Sequence, residues 1–203
     1  VDLATAGQGE LVRARAEQIG FVFQGFNLIP TLTAAENANM GLEPFRLSAH
    51  ERSERVAESL ARVGLADRHD HTPGELSGGQ QQRVAIARAI AYQPEVLLMD
   101  EPFAAVDAQT RADLEDLVRK VQRELGISVL FVTHDIDESV YLGNRVVMLS
   151  SSPTVVQEDL IVDLPDDRDQ LETRSMPRFT ELRHHVYEQI QLAKKGFRAD
   201  AVT

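Results

Sequence analysis

The octet Leu76-Ser77-Gly78-Gly79-Gln80-Gln81-Gln82-Arg83 carries the strongest chemical signal in the chain. Two glycines let backbone N–H groups come close to an anion, the serine hydroxyl adds a donor, and a helix opening here supplies positive potential. The pattern predicts a phosphate grip at a helix start. A second signal is Val96-Leu97-Leu98-Met99-Asp100-Glu101-Pro102, an apolar run that ends in two carboxylates. Asp100, at a strand end, can hold hydrated Mg²⁺. Glu101 points elsewhere and can polarise a water. Phosphoryl transfer needs both services, charge neutralisation by metal and an oriented nucleophile. His134 follows Leu130-Phe131-Val132-Thr133 and is placed to meet a γ-phosphate or an attacking water. Gln24 and Asp107 complete the set. Each short piece also fits an ordinary turn, acidic strand end or helix cap; their order in one chain gives them weight.

Such residues need strands and helices to present them. Residues 1–18 show little apolar periodicity. Ile19-Gly20-Phe21-Val22-Phe23 reads as a short buried strand ended by Gln24-Gly25. Thr33 with Glu36, and Ser48 with Glu51, form two capping boxes, the second opening a helix with a Val56, Leu60, Val63 stripe that Gly64 stops. Residues 33–93 therefore read as largely helical, broken at Pro73-Gly74. Beyond them a strand over 96–99, a helix over about 108–125 closed by Gly126, a strand over 127–132, a short helix through Val140 and Tyr141, and a strand over 145–149 alternate. Fully apolar strands alternating with helices predict a parallel sheet covered on both faces, with ligands at the carboxyl ends of its strands. Gln24, Asp100, Glu101 and His134 all fall at such ends. Ser150-Ser151-Ser152-Pro153 reads as a turn, 154–164 as an outer hairpin and 165–169 as an acidic loop. Phe179, Leu182, Val186 and Ile190 mark a terminal amphipathic helix.

Composition narrows the class. The 203 residues include 32 acids against 21 Lys and Arg, a net charge of −11, which argues against nucleic acid as the main partner. With no cysteine there are no disulfides, thiolate metal sites or cysteine nucleophiles. No apolar run is long enough to span a bilayer and no signal peptide opens the chain, so a cytoplasmic location is expected. His69-Asp70-His71 reads as a solvated loop, and His184-His185 as surface residues.

Taken together and in order, these motifs resemble the nucleotide-binding subunit of ABC transporters. Gln24 resembles the Q-loop, 76–80 the signature motif, 96–101 Walker B, 104–107 the D-loop and His134 the switch histidine. The resemblance implies an α/β, P-loop NTPase-like (RecA-like) fold, a mostly parallel sheet with an inserted helical subdomain, truncated at the N-terminus. Residues 1–29 would be a remnant of the catalytic core through the Q-loop. Residues 30–93 would be the helical subdomain with the signature motif. Residues 94–150 would be the core with Walker B, D-loop and switch histidine, and 151–203 a C-terminal extension. It further implies ATP hydrolysis between two subunits. Asp100 would hold Mg²⁺, with Gln24 linking metal and water to the coupling surface. Glu101 would be the catalytic base and His134 a γ-phosphate contact. Ser77, Gly78, Gly79 and Gln80 would clasp ATP held by the other subunit, with Asp107 in the D-loop alongside. The implied partners are a transmembrane permease, a second ATP-binding subunit and a solute-binding protein, at the inner face of the plasma membrane.

Two details depart from the pattern. A Walker A loop, G-x-x-x-x-G-K-[ST], is expected ahead of Gln24 and is absent; the only lysines are Lys120, Lys194 and Lys195. Residues 1–5 resemble the segment after Walker A and its helix, so truncation is the simplest account. The Walker B strand is then expected to keep one unpaired edge, an aggregation hazard. Residues 21–33 resemble lipoprotein-release and macrolide exporters, while 100–111 and 132–142 resemble nitrate, sulfonate and taurine importers; more of the chain points to uptake. The alternatives are a non-catalytic subunit that completes the ATP site of an intact partner, or an exporter-type ATPase. Without the lysine cradle, residues 1–203 alone are expected neither to bind ATP tightly nor to turn it over. Equilibrium dialysis with labelled ATP checks this, and magnesium-dependent micromolar binding would overturn it.

Overall fold

The structure is a computed structural model that describes residues 5–150 and 154–200, with side chains through residue 193. Residues 1–4 of the segment likened to the stretch after Walker A, residues 151–153 of the Ser/Pro turn and the side chains of Lys194 and Lys195 lie outside the described residues. The chain forms two compact units, Val1–Val132 and Thr133–Thr203.

The first unit contains α1 (Gln8–Glu17), β1 (Ile19–Phe23), α2 (Ala34–Asn39), α3 (Ala49–Arg62), α4 (Gly78–Ile90), β2 (Val96–Asp100), α5 (Ala108–Leu125) and β3 (Ser128–Val132). The three strands pair in parallel in the order β1-β2-β3. Phe23 is level with Asp100, and Asp100 with Val132, so the three carboxyl ends form one rim. The Walker B-like strand is therefore central and paired on both sides, against the expectation of an unpaired edge there. Among the described residues the outer strands are β1 and β3.

The sheet is also less covered than its apolar strands predict. Leu130 and Val132 of β3 are 56% and 46% exposed, while Val22, Leu97 and Met99 are fully buried. An apolar run reports that a strand can be buried, not that both its faces are covered among these residues.

Helix α1 was not visible as a period because its sequence, QGELVRARAE, is mostly polar and buries only Ala14. The other helices start where their caps predict. The Thr33 hydroxyl accepts from Glu36 N at 3.2 Å while the Glu36 carboxylate accepts from Thr33 N at 2.7 Å. The Ser48–Glu51 box repeats this at the head of α3. Each such cap stabilises its helix by about 1 kcal/mol. Gly126 ends α5 at φ 62°, the left-handed conformation that favours glycine.

Helix α4 is the spine of this unit, with Val84, Ile86 and Ala87 fully buried. It lies directly on β1: a Cβ on Gly20 would be 2.7 Å from Ala89 O. The turn through Gly41 presses on the same helix, where a Cβ would overlap the Arg88 carbonyl.

The second unit contains α6 (Ile136–Leu142), β4 (Arg145–Leu149), β5 (Val156–Ile161), α7 (Glu172–Ser175) and α8 (Pro177–Asp200). Residues 154–164 do not fold into a hairpin of their own: they supply one strand, β5, and β4 pairs antiparallel with it in a separate two-stranded sheet instead of extending the parallel one, because apolar content marks a strand without naming its partner. Tyr141, Met148, Val162, Phe179, Leu182 and Val186 build its core. The acidic loop contains a buried cation. Arg168 donates from Nη1 to Tyr141 O at 2.5 Å and Gly143 O at 3.0 Å, and from Nε to Pro165 O at 2.9 Å, tying the loop to the end of α6.

A Gly41→Ala variant is expected to lose about 1–3 kcal/mol of stability, because the added methyl meets backbone that cannot step aside. Gly74 has open space around it, so Gly74→Ala should change stability by no more than about 0.5 kcal/mol. Urea unfolding of the two variants checks the contrast.

Candidate functional site

Gln24 and Glu101 are the first residues beyond the ends of neighbouring paired strands, which lie about 4.8 Å apart in such a sheet. Asp100 is the last residue of β2 and is exposed, as is Gln24. Glu101 has φ 46°, a left-handed conformation uncommon for a residue with a side chain. Its N–H donates to Val132 O at 2.9 Å, so the sheet ladder runs one residue beyond β2 before the chain turns. Phe103 then drops into the core, fully buried, with its ring 5.4 Å from that of Phe131. The turn is thus pinned from both sides, with two successive carboxylates at the rim.

The segment after Gln24 is held by two polar clamps. The Arg88 guanidinium, on α4, donates to Asn27 O at 2.6 Å and Phe26 O at 3.2 Å. Burial disfavours its charged form and pulls its pKa down. The buried Asn37 side chain accepts from Ile29 N at 2.8 Å and donates to Ile29 O, Leu32 O and Thr33 O. Gln24 and Gly25 lie between the rim of β1 and these clamps, both exposed, so the Gln24 amide and the Gly25 backbone face solvent. Neither Arg88 nor Asn37 stood out in the sequence, because a helix arginine and a helix asparagine carry no local sign of distant carbonyl partners.

Ser77 caps α4. Its hydroxyl accepts from Gln80 N at 3.3 Å while Gln80 Oε1 accepts from Ser77 N at 2.9 Å. The Ser77 proton remains available to donate. Gln81 Nε2 donates to Pro73 O and Leu76 O at 2.9 and 3.1 Å, fixing the approach to the turn. The two glycines differ in surroundings. Gly78 is exposed, with only Phe26 near the place of a Cβ, whereas Gly79 is buried and a Cβ there would overlap Thr110 Cγ2. The end of the Gln24 segment, through Phe26, therefore borders the serine-glycine turn.

Asp107 caps α5, accepting from Thr110 N at 3.0 Å and from Thr110 Oγ1 at 2.6 Å. The hydroxyl bond first, and the backbone bond after it, hold its carboxyl below the usual aspartate range. The structure thus brings Gln24, Ser77, Gly78, Gly79, Gln80, Asp100, Glu101 and Asp107 into one unit. His134 belongs to the second unit. It is exposed at the lip of a cavity of about 490 Å³ lined also by Asp135, Asp137, Arg183, His184 and Tyr187.

The donor set suits a hard cation: the carboxylate of Asp100 and the amide of Gln24 offer oxygen ligands. Among the described residues no group of three His, Cys, Asp or Glu could hold a metal alone. His69 Nδ1 sits 2.8 Å from Asp70 on the surface, and His184 and His185 pair with Glu188 and Glu158 at 3.2 and 2.8 Å. These histidines are structural or solvated. No helix among the described residues is long and apolar enough to cross a membrane.

Comparison with known proteins gives this geometry a family. The family model described as ABC transporter matches residues 4–104. An aliphatic sulfonates import ATP-binding protein of Xanthomonas axonopodis pv. citri is 47% identical over 163 residues, covering 80% of this chain and 65% of its own length. A nitrate import ATP-binding protein of Synechocystis sp. is 39% identical over 179 residues, covering 86% and 67%. The chain spans just under two thirds, 64–65%, of the first four curated relatives it matches. Among solved structures, the dimeric ATP-binding cassette MJ0796 bound to ADP and Pi is 41% identical with a TM-score of 0.65, over 78% of this chain and 68% of that one. On these matches the chain belongs to the ABC transporter ATP-binding family and has its P-loop NTPase fold.

Proposed function

We propose that this chain is the greater part of an ATP-binding subunit that powers solute uptake through a membrane permease. One observation carries the reading: Glu101 is held at the rim in a strained left-handed turn beside Asp100 and Gln24. Strain of this kind persists where the surroundings over-determine it, and it clusters at active sites.

In this reading Asp100 and Gln24 hold Mg²⁺, which neutralises phosphate charge when bound. Glu101 orients and deprotonates the attacking water, and His134 is the γ-phosphate contact. The Ser77 hydroxyl and the backbone of Gly78 and Gly79 receive the terminal phosphate of ATP bound to a second subunit, and Gln80 keeps Ser77 in place. Asp107 stands beside that junction. The 30–93 region, led by the Gln24 segment, faces the permease. Import ATP-binding proteins for sulfonates and nitrate among the relatives support uptake over export, and a solute-binding protein then delivers the cargo. In this reading attachment to the inner membrane face runs through the permease.

A second reading has its own observation. Lys120 lies on α5, 3.8 Å from Glu124, so it supplies no phosphate cradle. A subunit that lends Ser77, Gly78 and Gly79 to a partner's ATP without hydrolysing its own would look the same here. One variant separates the two. Glu101→Gln removes the base while keeping shape, and phosphate release by the full-length protein in its permease complex should fall at least ~100-fold, with ATP binding retained. Turnover unchanged in Glu101→Gln would leave only the non-catalytic reading.

A further inference from the structure

The second glycine of the serine-glycine turn owes its identity to a neighbour within this chain. Gly79 is buried while Gly78 is exposed. The atom that a Cβ on Gly79 would strike is the methyl of Thr110, with Thr110 Cβ next at 3.8 Å. Thr110 cannot swing that methyl away freely. Its hydroxyl donates to Asp107 Oδ2 at 2.6 Å and its N–H to Asp107 Oδ1 at 3.0 Å. A threonine in a helix has few χ1 states. Turning the methyl off Gly79 carries the hydroxyl off Asp107.

We propose that Thr110 is a positioning residue that latches the Asp107 carboxylate to the signature turn. Its methyl seats on the bare backbone of Gly79 and its hydroxyl holds Asp107, so one rotamer serves both contacts. Any tilt of the first turn of α4 toward α5 displaces the methyl, turns the side chain and loosens Asp107. On the reading above, where Ser77 and Gly78 receive a phosphate, the seating of that phosphate is transmitted to Asp107 through this single side chain. Gly79 is glycine to admit Thr110, while its N–H stays available at the helix start. The depressed carboxyl of Asp107 agrees with the latch, since the Thr110 hydroxyl is its leading cause.

Three variants take the two halves apart. Thr110→Val keeps the methyl and loses the hydroxyl; Thr110→Ser keeps the hydroxyl and loses the methyl; Gly79→Ala forces the overlap. In the full-length protein with its permease, Thr110→Val and Gly79→Ala should each lower kcat about tenfold or more, and in Thr110→Val, which leaves the phosphate-receiving turn intact, KM for ATP should change less than about twofold, because positioning rather than ground-state binding is lost. Thr110→Ser should stay within about threefold of wild type, and the Gly79→Ala/Thr110→Ser double variant should recover most of the loss of Gly79→Ala. An NMR titration of the Asp107 carboxyl in the full chain gives a readout independent of turnover. It should rise toward the ordinary aspartate value in Thr110→Val and Gly79→Ala, and stay low in Thr110→Ser and the double variant. A double variant as impaired as Gly79→Ala, or an Asp107 titration unmoved in Thr110→Val, overturns the latch. Should Gly79→Ala not fold, the Val and Ser variants of Thr110 decide alone. A wild-type complex without ATP turnover removes the functional reading instead, and the titration still tests the latch.

Discussion

Three strands run parallel without a slip in register, so that Phe23, Asp100 and Val132 end level. The candidate chemistry in the first unit depends on this. A one-residue shift in a strand moves every side chain to the other face, and would exchange the directions of Asp100 and Glu101. The register is fixed by what lies on the buried face: Val22, Leu97 and Met99 are fully enclosed, and Gly20 lets α4 settle on β1 at close range. Core packing below the sheet thereby sets the direction of carboxylates at its rim.

Helix α4 carries that constraint outward. Its first turn presents Ser77 and Gly78, its middle is core, and Arg88 near its end reaches the carbonyls of Phe26 and Asn27. Arg83 donates to Val63 O at 2.9 Å and so ties in the end of α3. One helix thus touches the serine-glycine turn, the glutamine segment and the helical region. Its cost is visible in Gln82, fully buried with neither amide atom hydrogen-bonded among the described residues. A buried amide left in that state costs about 1–3 kcal/mol.

Much of this was legible in the residues because the signals were local. Capping boxes at Thr33 and Ser48, the helix start at Ser77-Gly78, the stop at Gly126 and the apolar runs over 19–23 and 96–99 each report a short-range preference, and each element begins or ends there; that Ser77 and Gln80 also cap each other was read only in the structure. Asp107 read as a helix cap and is one, but the contact that ties it onward, Thr110 on Gly79, joins residues 31 positions apart that no periodicity connects. The placement of the Walker B-like strand at the centre of the sheet was likewise invisible, since strand order is a matter of pairing and not of composition. Helix α1 escaped because an exposed polar helix has no face to repeat. Arg168 hid in an acidic stretch, where net charge outweighed the one cation that the local carbonyls had enclosed.

The backbone at Glu101 has a wider consequence. A residue with a Cβ sits there at φ 46°, where glycine would rest at no steric cost. Selection for a tougher fold would favour glycine at this corner, and the carboxylate would vanish with the strain. The protein keeps a less comfortable bend at the edge of its sheet, so that robustness and chemistry compete for a single amino acid.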